Sequence, residues 1–180
     1  MVYPSVLIED TRNQPGKHKN IHNFAEQNGI RIVRSKLTVG DYSLPTDQKI
    51  CIDTKYGLAE VYGNMVQEHE RFKRECDLAQ QLGIRLVVLV EESGIESIDD
   101  VRHWKNPRYE RYMMLKAAHK HGRFMGTKLP PKAPIDSQRL ERMMKTFAEH
   151  HGIEWRFCLK SETGLRICEI LMGGQNDISR

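Results

Sequence analysis

The run Val39-Gly40-Asp41-Tyr42-Ser43-Leu44, followed after four residues by Lys49-Ile50-Cys51-Ile52-Asp53-Thr54-Lys55, decides how this chain is read. Turn residues (Pro45-Thr46-Asp47-Gln48) between two β-rich runs predict a hairpin. Strand side chains alternate between faces, so Asp53 and Lys55 point the same way. With the turn at Pro45 to Gln48, Leu44 falls opposite Lys49 and Asp41 opposite Ile52, beside Asp53. Thr54 faces away, but its backbone carbonyl lies between the two side chains. Two carboxylates and a lysine therefore meet on one patch. That donor set suits Mg²⁺ or Mn²⁺, which take one or two carboxylates together with water and phosphate oxygens. A cation there polarises a phosphate ester and acidifies a bound water. The lysine then positions that water or neutralises charge developing on the phosphate. The metal candidates are Asp41, Asp53 and the Thr54 carbonyl. The same pattern also fits ordinary hairpin acids beside a surface lysine, and the residues alone leave both readings open.

Outward from the hairpin, strand and helix signals alternate. Val2 to Glu9 reads as a buried strand around Val6-Leu7-Ile8, followed by Asp10-Thr11-Arg12. A turn with Pro15-Gly16 precedes a helix over His18 to Asn28, which Gly29 stops. Ile30 to Arg34 is a short β-rich piece. A long helix is expected over Asn64 to Leu82, with Met65, Phe72, Cys76, Ala79 and Leu82 on one stripe. Ile84 to Val90 is a nearly continuous apolar run, as in a strand covered on both faces. Glu91 to Asp100 is acidic and loop-like. Helices follow at Arg108 to His121 and from Asp136 or Ser137 to Gly152. A strand over Ile153 to Leu159 and a helix from Ser161 to Gly173-Gly174 complete the pattern, which argues for an α/β sheet with helices on both faces.

The chain has 180 residues, enough for one domain with a full core. Its longest apolar run, Leu86 to Val90, is far short of the roughly 20 residues of a membrane span. The four cysteines are scattered and form no metal-type pair, so they read as reduced thiols. No hydrophobic signal core precedes Glu9 and Asp10, and a cytoplasmic setting is expected. Net charge is +4, but its distribution is uneven. Lys105, Arg108, Arg111, Lys116, Lys120, Arg123, Lys128 and Lys132 stand against the single acid Glu110. Lys105 to Pro134 is thus +7, and the remaining chain is −3. Such a cluster suits a polyanion, nucleic acid first, although a solvated helix face explains it as well.

In order along the chain, these motifs resemble the nuclease domain of the XPF-type structure-specific endonucleases, in the PD-(D/E)XK superfamily. That family shows a strand ending in Asp-x-Arg (here Asp10-Thr11-Arg12), then Gly-Asp-Tyr (Gly40-Asp41-Tyr42), then an acid-x-Lys element (Asp53-Thr54-Lys55). A helix with Arg-Phe-x-x-Glu follows (Arg71-Phe72-Lys73-Arg74-Glu75), then an apolar strand ending in acid (Leu86 to Val90, then Glu91-Glu92). The resemblance runs through residues 5–92. Asp53 replaces the usual Glu, Thr54 replaces the family arginine, and Glu60 lies five residues after the lysine, where the family acid lies four after. The tandem helix-hairpin-helix module that often follows such a domain is not evident.

The resemblance implies a restriction-endonuclease-like PD-(D/E)XK core: a central mixed β-sheet flanked by helices, with a basic helical insertion. One domain over 1–180 is expected, with the core at about 1–92 and 136–173 and the insertion at about 93–135. The implied activity is Mg²⁺- or Mn²⁺-dependent hydrolysis of DNA phosphodiesters in repair or recombination, in a microbe or phage, at the nucleoid. Asp41, Asp53 and Lys55 would be catalytic, with Glu60 beside them unless it is only a helix N-terminal acid. Asp10 and Arg12 would border the site or form a structural ion pair. Glu26 would be an extra acid there or a surface residue. By spacing and charge alone, Arg71 and Arg74, one turn apart, would meet phosphate or form a solvated face, and the basic cluster from Lys105 to Lys128 would grip duplex or branched DNA through its phosphates. Tyr109 and Tyr112 would stack on bases or pack inward. The pairs Met113-Met114 and Met143-Met144 read as helix core. Two other readings stay open: a nuclease-like module that binds DNA or a catalytic partner without cutting, and a sequence-specific restriction-type enzyme. A homodimer is compatible with either.

Overall fold

A computed structural model describes residues 3–14, 16–123 and 125–173. Val2 of the expected first strand, Pro15 of the first turn and Gly174 lie outside the described residues. The strands are β1 (Val6–Glu9), β2 (Arg31–Arg34), β3 (Tyr42–Ser43), β4 (Ile50–Lys55), β5 (Arg85–Glu91) and β6 (Glu154–Cys158). They form one mixed sheet in the order β2-β1-β3-β4-β5-β6. β3 is antiparallel to both neighbours, and the remaining pairings are parallel. The helices are α1 (Lys19–Gln27), α2 (Leu58–Val66), α3 (His69–Gln81), α4 (Pro107–Lys120), α5 (Ser137–His151) and α6 (Thr163–Gly173).

The continuous apolar run of β5 is explained by two cores. Leu86, Val88 and Val90 pack with α2, α3 and α5 through residues such as Leu58, Met65, Phe72, Leu140 and Phe147. Val87 and Leu89 face the other way, onto Ile21 and Ala25 of α1 and Ile167 and Leu171 of α6. Alternation carries the same logic along β4. Ile50 and Ile52 enter the α1/α6 core, whereas Cys51 enters the other. Asp53 and Lys55 continue the Cys51 face, and the apolar packing of α2 and α3 around them is what buries two charges.

Three details depart from the sequence expectations. The expected helix over 64–82 is two helices, because the carbonyl of Gly63 accepts from both Gln67 and Glu68 and the chain turns before His69. The stripe Leu58, Val61, Tyr62 and Met65, at helical spacing, is the signal that marks α2. Leu82 falls outside the buried stripe and is 55% exposed. The hairpin register is shifted by one residue: Tyr42, and not Asp41, lies opposite Ile52. The link is longer than four residues, and the Ser43 hydroxyl closes it by donating to the Ile50 carbonyl at 2.7 Å. Met113 and Met114 on α4 are exposed, unlike buried Met144, because α4 buries only Leu115.

Candidate active site

The C-terminal end of β4, the bend before β3 and the flank of α3 enclose a polar cavity of about 210 Å³. Asp41, Asp53, Thr54 and Lys55 all line it, so the acid, acid and lysine do converge. Asp53 and Lys55 are both buried. The Lys55 ammonium donates to Asp53 Oδ1 at 2.8 Å. Its nitrogen is also 2.6 Å from Oδ2, but outside hydrogen-bond geometry, and Oδ2 has no other partner. Lys55 Nζ further sits 5.5 Å from the centroid of the Phe72 ring, on its face.

Burial sets the electrostatics. It is the main cause raising the Asp53 pKa from 3.8 to about 6, with the Asp41 and Glu60 charges adding and Lys55 opposing. Burial also raises Asp41, partly offset by its bonds from Thr54. For Lys55, burial favours the neutral amine, yet the surrounding carboxylates win and its pKa is raised. Above about pH 6 the pair is therefore a carboxylate and an ammonium, held largely out of water.

Asp41 is fixed by backbone chemistry. β3 stops at Ser43 on one side and Tyr42 on the other, which leaves the Thr54 amide at the edge of β4 without a strand partner. Asp41 Oδ2 takes that place, accepting from Thr54 N at 2.9 Å and from the Thr54 hydroxyl at 2.6 Å. Thr54 therefore reaches the site through its amide and hydroxyl, which corrects the expectation that its side chain faces away. Its role is to hold Asp41. Gly40 makes the bend possible: its φ is +72°, and a Cβ there would lie 2.9 Å from the Ile52 carbonyl oxygen. The Glu75 carboxylate accepts from the Gly40 amide at 3.0 Å. Glu75 also lines the cavity, a position that its place in the Arg-Phe-x-x-Glu element alone did not disclose.

Asp10 and Arg12 lie at the border of the cavity. The Asp10 carboxylate accepts from Arg12 Nε at 2.7 Å and from the Leu37 amide at 2.7 Å. The Asp10 amide donates to the Asp41 carbonyl at 2.8 Å. The pair is thus structural and positions the loop that carries Asp41. Tyr42 is fully buried and donates to Glu9 at 2.8 Å, which anchors the bend from the opposite face.

Glu60 lies in the first turn of α2 and lines the cavity. It accepts from the Tyr56 amide at 2.8 Å and faces Lys17 at 3.7 Å. Both a helix-terminal role and proximity to the site hold for it. Lys17, from the turn before α1, was not foreseen because no local pattern marks a lysine that arrives from another element. Arg71 lines the cavity and is paired with Glu68. Arg74 is exposed and does not line it. Glu26 is exposed on the last turn of α1 and also lies outside the cavity, which leaves the surface reading. Lys105, Arg108, Arg111, Lys116, Lys120, Arg123 and Lys128 are all exposed, and none lines the cavity. Arg108 lies 5.2 Å from the Tyr62 ring centroid, which ties the start of α4 to α2.

Among the described residues, no group of three or more His, Cys, Asp or Glu side chains is arranged to hold a metal. The cavity is lined by Asp10, Asp41, Asp53, Glu60 and Glu75, of which Asp41 and Asp53 are the metal candidates. Asp53 Oδ2 is a buried oxygen without a hydrogen bond. Asp41 uses Oδ2 for both bonds from Thr54. Two such carboxylates, completed by water and phosphate, match what Mg²⁺ or Mn²⁺ takes. The Lys55 ammonium supplies the positive charge that balances Asp53.

No protein-family model and no curated protein matches this sequence. Among solved structures, XPF from Aeropyrum pernix aligns at a TM-score of 0.59 and 14% identity, covering 97% of this chain and 67% of that one. The same protein in complex with DNA aligns at 0.58 and 13%, covering 97% and 66%. This chain has an XPF-like fold. It spans about two thirds of the XPF chains it matches. The resemblance seen in residues 5–92 thus extends, at the level of the fold, through α4, α5, β6 and α6.

Proposed function

We propose that this protein is a divalent-metal-dependent DNA endonuclease acting on branched or flap-type substrates. The observation that carries the reading is the buried Asp53–Lys55 pair beside Asp41 in one cavity. Two charges are held there out of water at the end of a central strand, in an XPF-like fold. Burying ions is costly, and a site that does so with a carboxylate oxygen that accepts no hydrogen bond fits catalysis better than stability. The neighbour solved with DNA supports nucleic acid as the substrate.

Asp41 and Asp53 would hold Mg²⁺ or Mn²⁺, and the ion would supply Lewis-acid polarisation of the phosphate and an acidified water. Thr54 and Gly40 hold the Asp41 carboxylate in place. Asp53 is ionised above about pH 6 and so is ready for a cation at neutral pH. Lys55 balances Asp53 and stands ready to neutralise charge on a phosphate oxygen. The exposed cations of α4 and the following loop would hold the DNA backbone without reading bases. The setting is DNA repair or recombination in the cytoplasm, at the nucleoid, alone or as a dimer.

The test is cleavage of labelled duplex, single strand, 3′ flap, splayed arm and four-way junction with Mg²⁺ or Mn²⁺. The expected result is metal-dependent cutting of a branched substrate that falls at least about 10³-fold in Asp53→Ala. If every substrate stays whole while shifting in a salt-sensitive gel assay, the chain binds DNA without cutting it, and the enzyme reading fails.

A further inference from the structure

An open groove of about 690 Å³ runs between α3 and α5, on the side of α3 away from the candidate active site. Phe147 and Met143 form its floor. Lys73, Arg139, Arg142 and His150 line its walls. Arg139 and Arg142 are one turn apart on α5, and both are exposed.

Charge pairing separates these arginines from most others. Arg12, Arg34, Arg71, Arg85, Arg102, Arg156 and Arg166 each contact a carboxylate. Among the described residues, Arg139 and Arg142 contact none. Asp77 is already engaged by two of the lining residues, Lys73 at 3.1 Å and His151 at 2.6 Å. The two guanidiniums on the groove are therefore left without an ion-pair partner among the described residues. An open shape with two guanidiniums one turn apart matches a row of phosphates better than one enclosed anion.

The groove is also close to the site already described. Lys55 Nζ lies 5.5 Å from the Phe72 centroid, and Phe72 stacks on Phe147 at 5.2 Å with an 8° interplanar angle. One aromatic ring, Phe72, thus separates the candidate catalytic lysine from Phe147 on the groove floor. Helix α3 is the ridge between them, with Arg71 on the cavity side and Lys73 on the groove side.

We propose that this groove holds the sugar-phosphate backbone of DNA a few nucleotides from the phosphate at Asp53, with Arg139 and Arg142 as its main contacts. This rests on the DNA reading above, but it places part of the grip on α5, apart from the basic segment of α4.

The test is fluorescence anisotropy of a labelled duplex in EDTA, measured across a salt series. Wild type is compared with Arg139→Gln/Arg142→Gln, with thermal unfolding and light scattering on both. The expected variant folds normally, binds several-fold more weakly at low salt and shows a log K against log salt slope smaller by about 2. An unchanged slope with wild type still binding overturns this inference and leaves the DNA reading intact. If wild type does not bind at all, the DNA reading itself falls. A wild-type dimer that the variant converts to monomer would make the groove a contact between copies, which also overturns the proposal.

Discussion

Strand β4 and helix α4 both carry charge, and the chain treats it in opposite ways. All six residues of β4 are buried, Asp53 and Lys55 among them. Of the fourteen residues of α4, only Leu115 is buried, and its cations point into solvent. The sheet explains the contrast. β4 lies between β3 and β5 with helices on both faces, so its side chains are held out of bulk water, and Asp53 and Lys55 face the polar cavity. α4 lacks an apolar stripe and is tied down at its start, by the Asn106 side chain and by Arg108 on Tyr62. Charge in β4 is therefore fixed in place and mutually compensated. Charge in α4 is solvated and interchangeable. Chemistry needs the first arrangement, and backbone gripping tolerates the second.

The sharpest way to break this comparison is Lys55→Met in metal-free protein. Asp53 then remains buried without its counter-charge and beside Asp41. Removing one partner of a buried pair costs about 3–5 kcal/mol. For a chain of this size that corresponds to a melting temperature lower by about 10 °C at pH 8. The sign with pH follows from Asp53, whose folded pKa already lies at about 6 against 3.8 unperturbed. A carboxylate raised on folding stabilises below its unfolded pKa, and that contribution is lost as pH rises through the folded value. In wild type the loss spans about pH 4 to 6. In the variant the pKa rises further, so the deficit should shrink towards pH 4 and widen above pH 6. Calorimetry in EDTA across pH checks this, and a deficit independent of pH would mean that Asp53 is not the charge Lys55 balances. Cleavage should fall by about 10²–10³-fold in the same variant.

Gly40→Ala probes the backbone that aims Asp41. The substitution adds a Cβ at a φ of +72°, 2.9 Å from the Ile52 oxygen, so the bend must move. Unfolding in urea should show a loss of more than about 1 kcal/mol. A displacement of Asp41 by about 1 Å should lower cleavage by roughly 10²-fold, well beyond what the stability change alone would produce. Full activity in a destabilised variant would show that Asp41 does not need this bend.

The same contrast explains what was legible in the residues. Asp53 and Lys55 were readable as a pair because strand alternation is a local rule, and the β5 run announced its two covered faces. The one-residue register shift was not, because it depends on how the link closes, through Ser43 on the Ile50 carbonyl. Thr54 was misread for a related reason. Alternation places its side chain away from Asp53, but its partner is a carboxylate arriving from outside the strand. Lys17 and Glu75 reach the cavity from α1's approach and from α3, and no spacing within either segment records that meeting. The exposed Met113 and Met114 look like core residues at helical spacing, yet α4 has little to pack against. The basic cluster was visible as composition, whereas its separation from the cavity required the fold.

The smallest effect sharpens the α4 side. Lys116→Gln/Lys120→Gln removes two exposed cations without ion-pair partners among the described residues. Stability should stay within about ±0.5 kcal/mol, since neither side chain is buried or capped. DNA binding should weaken uniformly across sequences, and the salt slope should fall by about 2 if both lysines meet phosphates. Because such contacts are interchangeable, swapping the pair to arginine should restore binding, whereas Lys55→Arg should not restore cleavage. A cavity of about 210 Å³ has little space for a guanidinium where a compact ammonium sits against Asp53. If Lys55→Arg were active, the distinction between fixed and solvated charge would fail at the place where it matters most.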